Sequence, residues 1–119
     1  MYTIFKELPR MDVVFGTTIE SNTTFAVSNA PPPEVRAWWI QQLNNHDVMV
    51  TIEPIMQFDL GTMVKWLKDI RPKWVNVGAD SKGHHLPEPT FEEVEALMNE
   101  LKKFTEVKVK HNLERLKRI

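Results

Sequence analysis

The stretch DVMVTIEPIM, Asp47–Met56, decides the fold when it is read together with the residues after it. Val50 and Ile52 alternate with Thr51 and Glu53, the period of a strand with one apolar and one polar face. Pro54 marks the strand's end, because proline cannot donate to a central ladder. Asp59 then stands where a helix N-cap belongs. Behind it Leu60, Met63, Val64, Leu67 and Ile70 fall at helical spacing, and Arg71-Pro72 stops the helix. The stretch is one complete β–α unit.

The same unit recurs on both sides. Upstream, Asp12–Glu20 (DVVFGTTIE) reads as a strand, succeeded by a loop with Asn22, Thr23 and Thr24. Pro31-Pro32-Pro33 opens a helix to about Asn44, with Glu34 suited to its positive end. Val35, Trp38, Trp39 and Leu43 are its expected apolar stripe. Downstream, Lys73–Asp80 (KWVNVGAD) is the third strand, and the loop Ser81–Pro89 comes next. Thr90 and Glu93 form a capping box. Val94, Leu97, Met98 and Leu101 make the third stripe, and Glu106–His111 (EVKVKH) is a short fourth strand. The order βαβαβαβ predicts an α/β fold with a parallel sheet and right-handed crossovers. The 119 residues read as one domain, with a leading segment 1–11 and a tail 112–119 that resembles the start of another helix.

Composition narrows the function classes. Fifteen basic residues face sixteen acidic ones, for a net charge of −1, so nothing favours broad nucleic-acid binding. The chain has no cysteine, which excludes disulfides, zinc–thiolate sites and a cysteine-ligated cluster. No apolar run reaches the length of a membrane span, and Met1–Arg10 lacks the apolar region of a signal peptide. The expectation is a soluble protein of the cytoplasm, or of the host cytoplasm for a viral protein.

The strand faces carry the functional signal. Thr18 and Glu20 share a face in the first strand, as do Thr51 and Glu53 in the second. Asn76, Gly78 and Asp80 share one in the third, and Lys108 and Lys110 in the fourth. Sheets covered by helices on both sides carry continuous apolar strands instead. Helices are therefore expected on one face only, with the polar face lining a partial, half β/α barrel. Glu20, Glu53 and Asp80 all lie near carboxyl ends of strands, where ligand sites of such barrels are built.

Other chemistry is sparse. His84-His85 with Asp80 or Glu88 is a weak metal candidate, since adjacent side chains in an extended loop point apart. Glu20 and Glu53 could act as an acid/base pair on neighbouring strands. No phosphate loop, dinucleotide fingerprint or nucleophile elbow is present. The basic tail Lys108–Arg118 reads as a helix end suited to the dipole. One or two of Trp38, Trp39, Trp66 and Trp74 are expected to be exposed and to mark an interface.

The segments VVFGTTIES (Val13–Ser21), SNAPPPEVR (Ser28–Arg36), VTIEPIMQFDL (Val50–Leu60), VNVGADSKGHHLPEP (Val75–Pro89) and LKKFTEVKVK (Leu101–Lys110) bear a family resemblance. Together they are similar to the C-terminal half of radical S-adenosylmethionine (SAM) barrel proteins. The likeness is to the phage- and archaea-associated kind, distantly similar to spore photoproduct lyases. The resemblance implies a partial barrel whose later strands this chain supplies. It implies cofactor-binding roles for Gly16, Thr18, Glu20, Arg36, Glu53, Asn76, Gly78 and Asp80. Gly16–Glu20 would lie near the ribose and methionine of SAM, Arg36 near a carboxylate, and the other two strand ends near adenine or substrate.

The family's three-cysteine motif belongs to its N-terminal half, and this sequence lacks it. The chain is therefore expected to hold no iron–sulfur cluster, no metal and no catalytic residue of its own, and to be catalytically incomplete alone. The leading expectation is a binding or assembly module that completes a barrel as a homodimer or with a partner chain supplying the missing half. The alternatives are a SAM- or nucleotide-binding protein without radical chemistry, or a phage-type protein-interaction or inhibitor protein.

Overall fold

The computed structural model describes residues 13–23, 31–43, 45–80 and 86–118. Four strands form one sheet: β1 (Val14–Thr18), β2 (Asp47–Ile52), β3 (Trp74–Val77) and β4 (Glu106–Val109). They stand in the order β1-β2-β3-β4, and every neighbouring pair is parallel. Three helices connect them: α1 (Pro33–Gln41), α2 (Leu60–Ile70) and α3 (Phe91–Leu101). A 3₁₀ helix, His111–Arg118, succeeds β4. This is the β–α alternation of a partial β/α barrel, as the sequence pattern predicts. The leading segment 1–11, most of the loop after β1 and the His84-His85 pair lie outside the described residues.

Register fixes the two faces. Thr17, Val50, Val75 and Val107 stand side by side on one face, with Ile52, Val77 and Val109 one pleat on. This face meets the helices, and Val50, Ile52, Val75 and Val77 are fully buried in the single core cluster. On the opposite face Thr18, Thr51, Asn76 and Lys108 form a row. Thr18, Thr51 and Asn76 are half-buried there, and Lys108 is exposed.

The helix boundaries are set by their caps. The Asp59 carboxylate accepts from the Thr62 backbone N–H at 2.9 Å, satisfying an end donor of α2. Arg71 ends α2 in the left-handed region at φ 58°, its N–H bonded to the Leu67 carbonyl. The Thr90–Glu93 capping box forms at the start of α3. Met63, Val64, Leu67 and Ile70 of α2 are buried, as are Val94, Leu97, Met98 and Leu101 of α3. Leu60, at the first position of α2, is exposed.

The first helix departs from expectation. Its buried side chains are Pro33, Ala37 and Ile40, with Leu43 just beyond its end. Trp38 and Trp39 are each 51% exposed. Apolar residues lie around most of this helix, so spacing alone does not single out a face. Ala37 and Ile40 win because a small and a branched side chain let α1 approach the sheet closely, where two indoles would hold it off.

The strands are also shorter than the apolar runs that announce them. The second ends at Ile52, before the cis Glu53–Pro54 peptide, and the third at Val77. Backbone bonds nevertheless continue past them. The N–H groups of Ile55 and Met56 donate to the carbonyls of Gly78 and Glu20 at 2.9 and 3.1 Å, drawing the three strand ends together.

Candidate functional site

The carboxyl ends of the strands gather most of the polar residues that the sequence singles out. Glu20 and Arg36 meet there, the guanidinium Nη2 lying 2.9 Å from Glu20 Oε1. The pair is largely shielded, at 16% and 13% side-chain exposure. Arg36 also donates Nε to the Pro31 carbonyl at 2.8 Å and Nη1 to the Thr18 carbonyl. Arg36 therefore does face a carboxylate, but that of the chain's own Glu20. The arginine ties the start of α1 to the end of β1.

Glu53 is held by different cations and donors. Lys110 Nζ lies 3.3 Å from Glu53 Oε1, and Asn112 Nδ2 donates to Glu53 Oε2 at 2.8 Å. The same Asn112 side chain accepts from the Ala79 backbone N–H at 3.0 Å. Asn112 is thus a bridge between β2's end and β3's end, carried in by the 3₁₀ helix. Glu20 and Glu53 sit on neighbouring strands, yet each is engaged in its own ion pair. Each carboxylate is thus turned to its own cation, Glu20 to Arg36 and Glu53 to Lys110.

Asp80 is buried. Arg115 donates Nε to its backbone carbonyl at 3.2 Å and pairs through Nη2 with Glu88. The Glu88 hydrogen bond holds the Arg115 guanidinium above its usual value, and the Glu88 and Asp80 charges add to this. Asn112 and Arg115 of the 3₁₀ helix therefore form a polar clamp across the strand ends. Leu113 and Leu116 on its other side are buried in the core.

The two glycines of the predicted site are closely approached by the protein itself. A Cβ at Gly78 would stand 2.9 Å from Asn112 Oδ1 and 3.0 Å from the Glu53 carboxylate. A Cβ at Gly16 would stand 2.5 Å from the Met49 sulfur. Gly16 also lies two residues before Thr18, away from the carboxyl end, in register with Met49. A side chain at Gly78 would displace Asn112 or Glu53, and one at Gly16 would displace the end of the Met49 side chain. Asn76 lies one pleat below Gly78, its Nδ2 3.4 Å from Thr51 Oγ1.

Sequence reasoning missed Asn112 and the role of Arg115. No local motif marks them, since their partners are 59, 33 and 27 positions away. It also missed the row Gly16, Met49, Trp74 and Glu106 near the amino ends of the strands. There Met49 and Trp74 place apolar bulk on the otherwise polar face, with Lys108 Nζ 4.5 Å from the Trp74 ring centre. Among the described residues no group of three His, Asp or Glu side chains is gathered as for a metal. No helix among them is long and apolar enough to cross a membrane. Compared with protein-family models, curated proteins and solved structures, the chain matches none of them.

Proposed function

We propose that this chain is the carboxyl-side half of a β/α barrel of the radical-SAM-like kind. It is catalytically incomplete alone, and acts as a binding or assembly module that completes a barrel with another copy or a partner chain. The observation that carries this reading is Met49 beside Trp74 on the sheet face that the described helices leave uncovered. A face that needed only to meet water would gain nothing from a thioether and an indole, whereas the inside of a barrel is filled by such side chains. Val14, 40% exposed on β1, and Val109, 53% exposed on β4, add apolar surface at both edges of the described sheet. Parallel edges invite pairing unless something covers them. Two copies would bring eight strands, the number of a closed β/α barrel.

The chain's own residues fit S-adenosylmethionine poorly as they stand. Arg36 has three donor contacts within the protein, and Asn112 and Glu53 crowd Gly78. Titrating that cofactor into the chain alone is expected to give no heat of binding.

Native mass spectrometry of the wild type and of Trp74→Lys tests the assembly. The expected result is a dimer, or a complex with a co-purified chain, that Trp74→Lys disrupts while leaving the fold's circular dichroism intact. A wild type that stays monomeric with no co-purified chain, its mass unchanged by Trp74→Lys, would overturn the reading.

A further inference from the structure

We propose that the groove between α1 and α2 is a docking site for an arginine side chain of a basic partner segment. The groove lies on the helix layer, has a volume of about 240 Å³, and takes its lining equally from the two helices. Glu34 and Trp38 line it from α1, and Trp66 and Asp69 from α2. Each helix thus offers one indole and one carboxylate, spaced four and three residues apart so that they share a face, with Gln41 of α1 and the cation Lys65 of α2 also in the lining. Ala37 and Ile70 supply apolar lining between them.

This composition selects the occupant. Indole faces attract cations, and a planar guanidinium stacks on them while its fork of N–H donors matches carboxylates. A neutral apolar occupant would strip water from Glu34 and Asp69 without replacing it, and an anion would be repelled. Tryptophan and arginine are also the residue types that carry most binding energy at protein interfaces. Trp38 is 51% exposed. Among the described residues Glu34 has no ion-pair partner. Asp69 does have one, Lys65 Nζ at 2.9 Å, but the Lys65 side chain is 74% exposed. An exposed pair within one helix is readily exchanged for another cation. Lys65 is thus an internal competitor for the site, a signature that a merely structural role would not share.

The test uses the full chain with ¹⁵N-labelled indoles, whose four signals are assigned by single Trp→Phe variants. The probe is a peptide of three arginines alternating with glycine, compared at matched ionic strength with the same peptide carrying neutral citrulline. The arginine peptide is expected to shift the Trp38 and Trp66 indole signals saturably and to leave Trp74 in place. Glu34→Gln should weaken binding about two- to fivefold, in the range of an exposed ion pair, and Lys65→Ala should strengthen it by a similar factor. Equal binding of the citrulline peptide would overturn the proposal. So would uniform movement of all four indoles, no saturable shift, or weaker binding by Lys65→Ala. Because Trp74 reports the sheet face and Trp38 the helix face, failure here is distinguishable from failure of the barrel-completing reading.

Discussion

Replacing Gly78 by alanine tests the Asn112 bridge that holds the strand ends together. The φ of Gly78 lies outside the left-handed region, so alanine's backbone is unstrained there. The new methyl group would stand 2.9 Å from Asn112 Oδ1 and 3.0 Å from Glu53 Cδ and Oε2. One of the two side chains must move, and Asn112 is tied at both ends. Moving it leaves the Ala79 N–H without its acceptor, and Ala79 is only 1% exposed. An unsatisfied buried donor costs about 1–3 kcal/mol. Loss of the Asn112 bond to Glu53 adds about 1 kcal/mol, at the lower end because water can reach that carboxylate. Against this, alanine restricts the unfolded chain and returns about 0.4–1 kcal/mol. The net expectation is a destabilisation of about 1–3 kcal/mol.

Urea unfolding of the single variants and the double variant forms a cycle. Asn112→Ala alone should cost about 2–4 kcal/mol, because it removes both bonds. Gly78→Ala made in the Asn112→Ala background should then cost close to nothing, since the obstructing oxygen is gone and Glu53 can swing into solvent. The coupling energy expected is about 1–3 kcal/mol, the whole cost of Gly78→Ala in the wild type. A Gly78→Ala variant as stable as the wild type, or one whose cost is unchanged by Asn112→Ala, would refute the bridge.

The same rim and its neighbouring helix give two further expected outcomes. Arg36→Met should destabilise by about 2–4 kcal/mol, because it strands the shielded Glu20 carboxylate and frees two backbone carbonyls; adding Glu20→Leu should recover part of the loss in urea melts. Asp59 is held below the usual carboxylate range, first by the Thr62 backbone N–H and then by the Thr62 hydroxyl. A depressed folded-state value means that this cap contributes fully above the unfolded value and fades as pH falls through the acidic range. Asp59→Asn should keep the cap near neutral pH and flatten that acid loss, and urea midpoints at about pH 7 and about pH 3 check both parts.

Much of the fold was legible because it is written in local periods. Val50 and Ile52 against Thr51 and Glu53 fix a strand and its faces, and Asp59, Thr90 and Glu93 fix helix starts through bonds spanning three residues. The strand ends were harder to place, because Pro54 to Met56 and Gly78 to Asp80 continue an extended, largely apolar pattern after ladder pairing stops. Alternation along each strand already places Met49 with Thr51 and Trp74 with Asn76 on the polar face, but only register shows that the two stand side by side.

By itself, the sequence determined the order of elements, the parallel sheet, the capped helices and the bias of one face toward polar residues. All of these depend on interactions between residues a few positions apart, or on alternation along one strand. The tertiary structure alone decided which face α1 buries, that Arg36 is taken by Glu20, and that Asn112 fills the space beside Gly78. Each of those outcomes is a competition among partners brought together by folding. Its winner is set by distance and packing in three dimensions, which no spacing along the chain records.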